Sequence, residues 1–212
     1  NMEIFDALVV CNGHHHEPRF PRYAGKFSGD YLHSHQYKKA LPFKDRKVLV
    51  IGGGNSACDV AVETARISET TVISWRRGYY LIPKFMFGLT SDIFALKARW
   101  LPRFLRLSFM RFMLELIQGK NEDIGLPKVT NHILATHPTV NSDLYNAVRH
   151  GKVRPKCDID KFEGKTVYFQ DGSHEDFDAV IACTGYKLKH SFFDKDLINF
   201  EEGPVNLLHR ML

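Results

Sequence analysis

The stretch Lys47–Ile67, KVLVIGGGNSACDVAVETARI, decides the fold. Val48 to Ile51 form an aliphatic run that reads as a buried strand. Glycines follow, and beyond them Ala57, Val60, Ala61 and Thr64 recur at the spacing that shares one helical face. Strand, turn and helix in that order, with Gly52, Gly54 and Ala57 at G-x-G-x-x-A spacing, is the pattern of a turn that holds a dinucleotide pyrophosphate. The first glycine permits the tight turn, the second lets a phosphate approach the backbone, and the alanine keeps helix close to strand. The phosphates would sit at the helix N-terminus, around Gly54, Asn55, Ser56 and Ala57, where unpaired amides and the helix dipole favour anions. The plainer alternative is a glycine turn that only packs tightly.

The next strand, Thr70 to Trp75, bears on which nucleotide fits. About 20 residues after such a turn, an NAD site offers Asp or Glu to the ribose hydroxyls. This chain instead runs Ser74-Trp75-Arg76-Arg77-Gly78, with no acid. A guanidinium donates two charge-assisted hydrogen bonds to a phosphate from one planar fork. Ser74, Arg76 and Arg77 therefore point to a 2′-phosphate, hence NADP, unless the arginines are simply solvated.

Composition sets the wider limits. With 212 residues, 44% hydrophobic and 25% charged, the chain reads as soluble globular material, one large domain or one domain plus part of another. No apolar run is long enough to span a bilayer, so the expected address is cytoplasmic. The net charge of +5 suits a phosphate-bearing ligand. The basic residues are scattered, which argues against a nucleic-acid surface. Cys11, Cys58, Cys157 and Cys183 form no C-x-x-C and are read as reduced thiols, with Cys58 a core residue rather than a reactive one. His14, His15 and His16 point in different directions on any regular backbone, so no metal site is expected.

A phrase occurs twice. FDALVVCNG begins at Phe5 and FDAVIACTG at Phe177. Each reads as a buried strand introduced by an aspartate and closed by a polar residue and glycine, Asn12-Gly13 and Thr184-Gly185. Ligands of open α/β sheets bind beyond the carboxyl ends of strands, so both turns are candidate cofactor contacts. Two dinucleotide-binding units, one nested in the other, are expected. Because Ile4 to Cys11 already reads as strand, the chain is expected to be an internal piece of a longer one.

Between the copies lies a long excursion. PRFLRLSFMRFMLELIQGK reads as a helix with Pro102 in its first turn, Gly119 at its end, and Ser108, Arg111, Glu115 and Gln118 as a polar stripe. Its remaining apolar surface over residues 102–118 suits either packing against protein or peripheral contact with a membrane. THPTVNSDLYNAVRHGKV reads as a turn and a helix capped near Asn141 or Ser142 and stopped at Gly151. KTVYFQDGS reads as a strand entering a hairpin.

KFSGDYLHSHQYK contains Phe27, Gly29, His33 and Tyr37 in the spacing F-x-G-x-x-x-H-x-x-x-Y, which closely resembles the identifying sequence of the flavin-containing monooxygenases. VLVIGGGNSACDVA resembles that family's NADPH-binding turn, ACTGY its later ATGY motif, and CNGHHHEPRFP the segment before the identifying sequence. The resemblance implies an α/β fold in which a Rossmann-like NADP-binding domain is inserted in a partial FAD-binding domain. Residues 1–42 would end the first FAD segment and carry the linker, 43–184 would be the NADP-binding domain with a helical insertion at about 85–150, and 185–212 would begin the return to the FAD domain. It implies hydride transfer from NADPH to FAD, then use of molecular oxygen to oxygenate a soft nitrogen or sulfur in a small amine or sulfide. Thr184 and Gly185 would lie near the cofactors, and Asn12 and Gly13 near the flavin. His33 would make a structural hydrogen bond rather than act as a base. Tyr37 stands where the related Baeyer–Villiger enzymes usually carry Trp, which leaves that class as an alternative, beside a non-catalytic NADP-binding sensor. Catalytic residues, substrate and oligomeric state, a homo-oligomer included, stay open.

Overall fold

The computed structural model describes residues 5–6, 9, 11, 13, 15–133 and 138–187. Along the chain the first strands are β1 (Glu17–Pro18), β2 (Ala24–Phe27), β3 (Asp30–His33), β4 (Lys47–Ile51) and β5 (Thr70–Ser74), with helix α1 (Asn55–Thr64) between the last two. The excursion holds β6 (Leu81–Ile82), β7 (Phe85–Met86), β8 (Leu89–Thr90), α2 (Ser91–Lys97), α3 (Arg103–Gln118) and β9 (Thr139–Val140). There follow α4 (Leu144–Arg149), β10 (Val153–Lys156), β11 (Ile159–Gly164), β12 (Thr166–Phe169), β13 (His174–Asp176), β14 (Ala179–Ala182) and β15 (Tyr186–Lys187).

The chain divides into two compact units. In the larger, Phe20–Thr184, a five-stranded parallel sheet runs in the order β10-β5-β4-β14-β3. Alternation along each strand gives it two buried faces. Val48, Val50, Ile73 and Ile181 join Ala57, Cys58, Val60 and Ala61 of α1 and Leu144, Tyr145 and Val148 of α4. Leu49, Ile51, Val72 and Val180 join Ile159, Phe162, Val167 and Phe169 of a second sheet, ordered β13-β12-β11-β2. One face of the parallel sheet is thus covered by helices and the other by strands. In the smaller unit, Asn1–Arg19 with Gly185–Leu212, β1 and β15 pair antiparallel.

The two copies of the repeated phrase differ. The second gives β14, buried at all four positions between β3 and β4. Its Asp178 explains the introductory acid: the carboxylate accepts from the Lys47 amide at 3.1 Å and from Lys165 Nζ at 3.2 Å, fastening the start of β14 to β4. The expectation of a buried strand over Ile4 to Cys11 is corrected for its described residues. Phe5, Asp6, Val9 and Cys11 are in no strand, and Phe5 and Val9 are 73% and 81% exposed. An apolar β-branched run becomes a buried strand only where neighbours pair its backbone and cover its faces, so residue pattern alone does not secure it.

The excursion is helical where expected. α3 has Pro102 as its N-cap and Gly119 as its C-cap, and of its side chains only Met110 and Leu114 are buried, against Ile82, Met86 and Ile133. α4 begins later than Asn141 because the Asn141 side chain accepts from the Asp143 and Leu144 amides, at 2.9 and 2.8 Å, before the helix starts. No described helix is long and apolar enough to cross a membrane.

Candidate nucleotide-binding site

Strand register brings the candidate residues of the larger unit to one edge. Ala182, Ile51, Ser74 and Lys156 stand level as the last residues of their strands. The glycine turn, the Trp75–Gly78 segment and Thr184 all leave the sheet there, the edge at which α/β sheets hold ligands.

The glycines of the turn do different work. Gly52 has φ +126, and a Cβ on it would collide with the Cys183 carbonyl oxygen. Strand β14 forces that glycine, since Cys183 N donates to Ile51 O at 2.8 Å. A side chain on Gly53 would enter the Tyr79 ring, which stands edge-on to Trp75 at 5.4 Å. Gly54, the α1 N-cap, has an ordinary extended backbone and a Cβ there would meet nothing within 4 Å. Only this last glycine faces open space. Ala57 is buried against the sheet, and Ser56 is exposed on the first turn of α1.

Asn55 and Ser74 have side chains engaged within the protein. Asn55 Nδ2 donates to Pro138 O at 3.3 Å while its Oδ1 accepts from Val140 N at 2.7 Å. Thr139 Oγ1 donates to Gly53 O at 3.2 Å, and Asn141 Nδ2 to Asp59 Oδ1 at 2.8 Å. Residues 138–141 therefore strap the glycine turn and the start of α1 from outside. Ser74 is buried, with its hydroxyl donating to Cys157 O at 2.7 Å. Arg76 and Arg77 are exposed beyond it; Arg77 lies over the Tyr79 ring at 5.4 Å and donates to its hydroxyl at 3.4 Å. Near Arg76, Tyr23 donates to Asp158 at 3.0 Å, and burial, then that carboxylate, push its phenol well above the usual tyrosine range. Trp75 Nε1 is buried without a hydrogen-bond partner.

Thr184 is half-buried at the end of the same edge, after Cys183, whose thiol burial pushes up to about 12. Burial raises Cys58 further still, so it is an inert core group. In the smaller unit Gly185, at φ +80, accepts from Arg19 N at 3.0 Å. Gly13 is exposed at φ +70, and Asn12 lies outside the described residues.

The F-x-G-x-x-x-H-x-x-x-Y string proves to be architectural. Phe27 ends β2, and a Cβ on Gly29 would strike the Phe27 ring and Asp178 O, so the corner into β3 closes only over glycine. His33 is fully buried at the end of β3, where its Nδ1 accepts from His35 N at 3.1 Å. Tyr37 stacks on Phe43 at 5.8 Å and meets Thr64 of α1 at 3.5 Å. The string ties both sheets and α1 together.

Sequence reasoning read Asn141 only as a helix cap and passed over Thr139, so it missed that both hold the glycine turn and α1. Only the polar cluster P-T-V-N hinted at a turn there, and nothing local reveals a partner more than 80 residues away.

Comparison with known proteins agrees with this geometry. Residues 1–212 match the family described as flavin-binding monooxygenase-like. The chain belongs to that family. Similar proteins include the 4-hydroxybenzoate brominase (decarboxylating) of Marinomonas mediterranea, 33% identical over 89% of this chain and 40% of the relative. Flavin-containing monooxygenase 5 of Rattus norvegicus is 32% identical over 99% of this chain and 41% of its own. The chain thus spans about two fifths of the curated relatives it matches. Among solved structures, cyclohexanone monooxygenase from Rhodococcus sp. Phi1 bound to NADP⁺ aligns with 83% of this chain and 45% of its own, at TM-score 0.62 and 18% identity. OTEMO in complex with FAD and NADP covers 83% of this chain and 46% of its own at TM-score 0.64 and 15% identity. These likenesses establish the mixed α/β fold of the two-dinucleotide flavoproteins.

Proposed function

We propose that this chain is the NADPH-binding part of an FAD-dependent monooxygenase that uses molecular oxygen to oxygenate a soft nitrogen or sulfur centre of a small amine or sulfide. The observation that carries the reading is the pair Gly52 and Gly54: one glycine compelled by the packing of β14, the other left open at the N-terminus of a ten-residue helix on the carboxyl edge of a parallel sheet. That open approach fits a pyrophosphate, because among the described residues no atom comes within 4 Å of where a Gly54 side chain would begin.

In the proposed arrangement the amides of Gly54, Asn55, Ser56 and Ala57 receive the pyrophosphate. Asn55 acts through its side chain as a fastener, holding the turn to Pro138 and Val140 so that the amides stay aimed. Ser74, by its bond to Cys157, fixes the start of the loop from which Arg76 and Arg77 reach the 2′-phosphate. Thr184 and Gly185 border the cofactors, and Asn12 and Gly13 the flavin. Residues 1–42, 43–184 and 185–212 are assigned to the FAD segment with its linker, the NADP-binding domain and the return to the FAD domain. When bound, the two cofactors supply hydride transfer and oxygen activation; the protein binds, orients and shields them.

Isothermal calorimetry with NADPH and NADH tests the assignment. Arg76→Ala/Arg77→Ala is expected to weaken NADPH by roughly tenfold or more, two charge-assisted contacts being lost, while NADH changes little. Equal loss for both coenzymes overturns the 2′-phosphate role. Anaerobic flavin reduction by NADPH, then oxygen with amines, sulfides and a cyclic ketone, tests the chemistry. Conversion of the ketone alone would replace the proposed substrate class with the Baeyer–Villiger one.

A further inference from the structure

The Tyr79 ring touches the glycine turn and an arginine at once. A side chain on Gly53 would run into that ring, and Trp75 stands edge-on to it at 5.4 Å. Arg77 lies over it, with the guanidinium carbon 5.4 Å from the ring centre, and Arg77 Nε donates to the phenol oxygen at 3.4 Å. The backbone that carries the ring is clamped. Asn121 Nδ2 donates to Tyr79 O at 3.0 Å, and Trp75 N donates to Lys156 O at 3.1 Å. A Cβ on Gly78 would strike Pro127 O and Lys128 O, so the corner before Tyr79 closes only over glycine.

Packing accounts for part of this. A leucine or phenylalanine would cover Gly53 as well as a tyrosine does. The hydroxyl and the half-buried ring engage Arg77, an exposed residue that, among the described residues, pairs with no carboxylate and donates from its terminal nitrogens to no acceptor. Holding a long solvated side chain in one place costs conformational entropy and returns little stability at a surface. The order has a use when an anion arrives, because a planar fork already in position loses less freedom on binding. Arg76, one residue earlier, has no ring beneath it and no hydrogen bond among the described residues. The two arginines of the loop are not equivalent.

We infer that Tyr79 is a positioning residue: it holds the Arg77 fork ready for the 2′-phosphate of NADPH, ties that fork to the turn that receives the pyrophosphate, and so sets the preference for NADPH over NADH. The inference rests on the proposed cofactor reading. It adds that the preference runs through Tyr79 and Arg77 rather than through the positive charge of the loop as a whole.

The test is a double-mutant cycle read by calorimetric titration of the protein at its natural length with NADPH and with NADH. Tyr79→Leu, which keeps an apolar cover on Gly53, is expected to weaken NADPH roughly threefold to tenfold and to leave NADH within about twofold. In an Arg77→Ala background the same change should cause no further loss, whereas in an Arg76→Ala background the full loss should persist. Tyr79→Phe, which keeps the ring, should recover most of the NADPH affinity. Arg77→Lys, a surface change that leaves the fold alone, keeps the charge but gives up the flat fork; it too should weaken NADPH severalfold and spare NADH. A ring that only packs on Gly53 would weaken both coenzymes alike and act independently of Arg77. That result, no loss in Tyr79→Leu, or parental NADPH affinity in Arg77→Lys overturns the inference. If Arg77→Ala keeps the preference for NADPH, the 2′-phosphate reading fails and the inference with it. If Arg77→Ala loses the preference while Tyr79→Leu keeps it, the inference alone fails.

Discussion

Helices α1 and α3 are both amphipathic, yet the shorter one buries more. α1 places Ala57, Cys58, Val60, Ala61 and Thr64 against the parallel sheet, whereas α3, six residues longer, buries only Met110 and Leu114. The inward residues of α1 are small because β4, β5 and β14 already fill the space beneath them. The apolar residues of α3 are large, and most of them, such as Phe104, Phe112 and Leu116, face outward. The same kind of pattern therefore records two things: on α1, how close a neighbour stands; on α3, an apolar face that the described residues leave uncovered.

The sharpest way to break this contrast is at the turn that aims α1. Gly52→Ala is expected to destabilise the protein by about 3 kcal/mol or more, from left-handed strain plus a collision with backbone that cannot move aside. Urea unfolding measures it, and a cost below that of an ordinary surface change would mean that β14 does not hold the turn. Next in size, Ala61→Leu on α1 should cost about 1 to 3 kcal/mol by overpacking, while Phe112→Ser on α3 should stay within about 0.5 kcal/mol. Comparable losses at the two positions would erase the distinction between the helices.

The smallest effect concerns the sheet beneath α1. The Lys47 amide, then Lys165 and Arg46, hold the Asp178 carboxyl below the usual carboxylate range. A depressed folded-state value stabilises above the unfolded value near 3.9 and is lost as pH falls through the folded one. Asp178→Asn should therefore lower stability at neutral pH by less than about 1 kcal/mol, the site being partly exposed, and the difference from the parent should vanish at strongly acid pH. Unfolding midpoints across acid pH check this, and a gap that widens on acidification would contradict it.

Much of the fold was legible from local pattern. Val48–Ile51, the glycine turn, the Ala57–Thr64 face and the bounds of α3 follow from periodicity and caps within a few residues. What escaped was set by partners distant in sequence. Asn55 reads as bordering a pyrophosphate, and what the sequence cannot tell is that its side-chain amide bonds residues 138 and 140. Ser74 reads as bordering a 2′-phosphate, and its hydrogen bond to Cys157 O, 83 residues on, is out of reach of local pattern. Ile4–Cys11 had a strand's composition, and composition cannot say whether neighbours will pair with it. The identifying string flagged the family, while only packing shows that it works as a corner joining β2, β3 and α1.

The pairing of Leu81–Ile82 with Thr139–Val140 has a practical meaning. The chain departs and comes back side by side there, and the returning limb is rooted a second time: Leu126 is buried in the core with Val48 and Leu144, and the Asn121 side chain donates to Tyr79 O and accepts from Tyr145. A graft that keeps both the seam and the limb from Asn121 to Leu126, and swaps only residues before Asn121, should leave the carboxyl edge of the sheet intact.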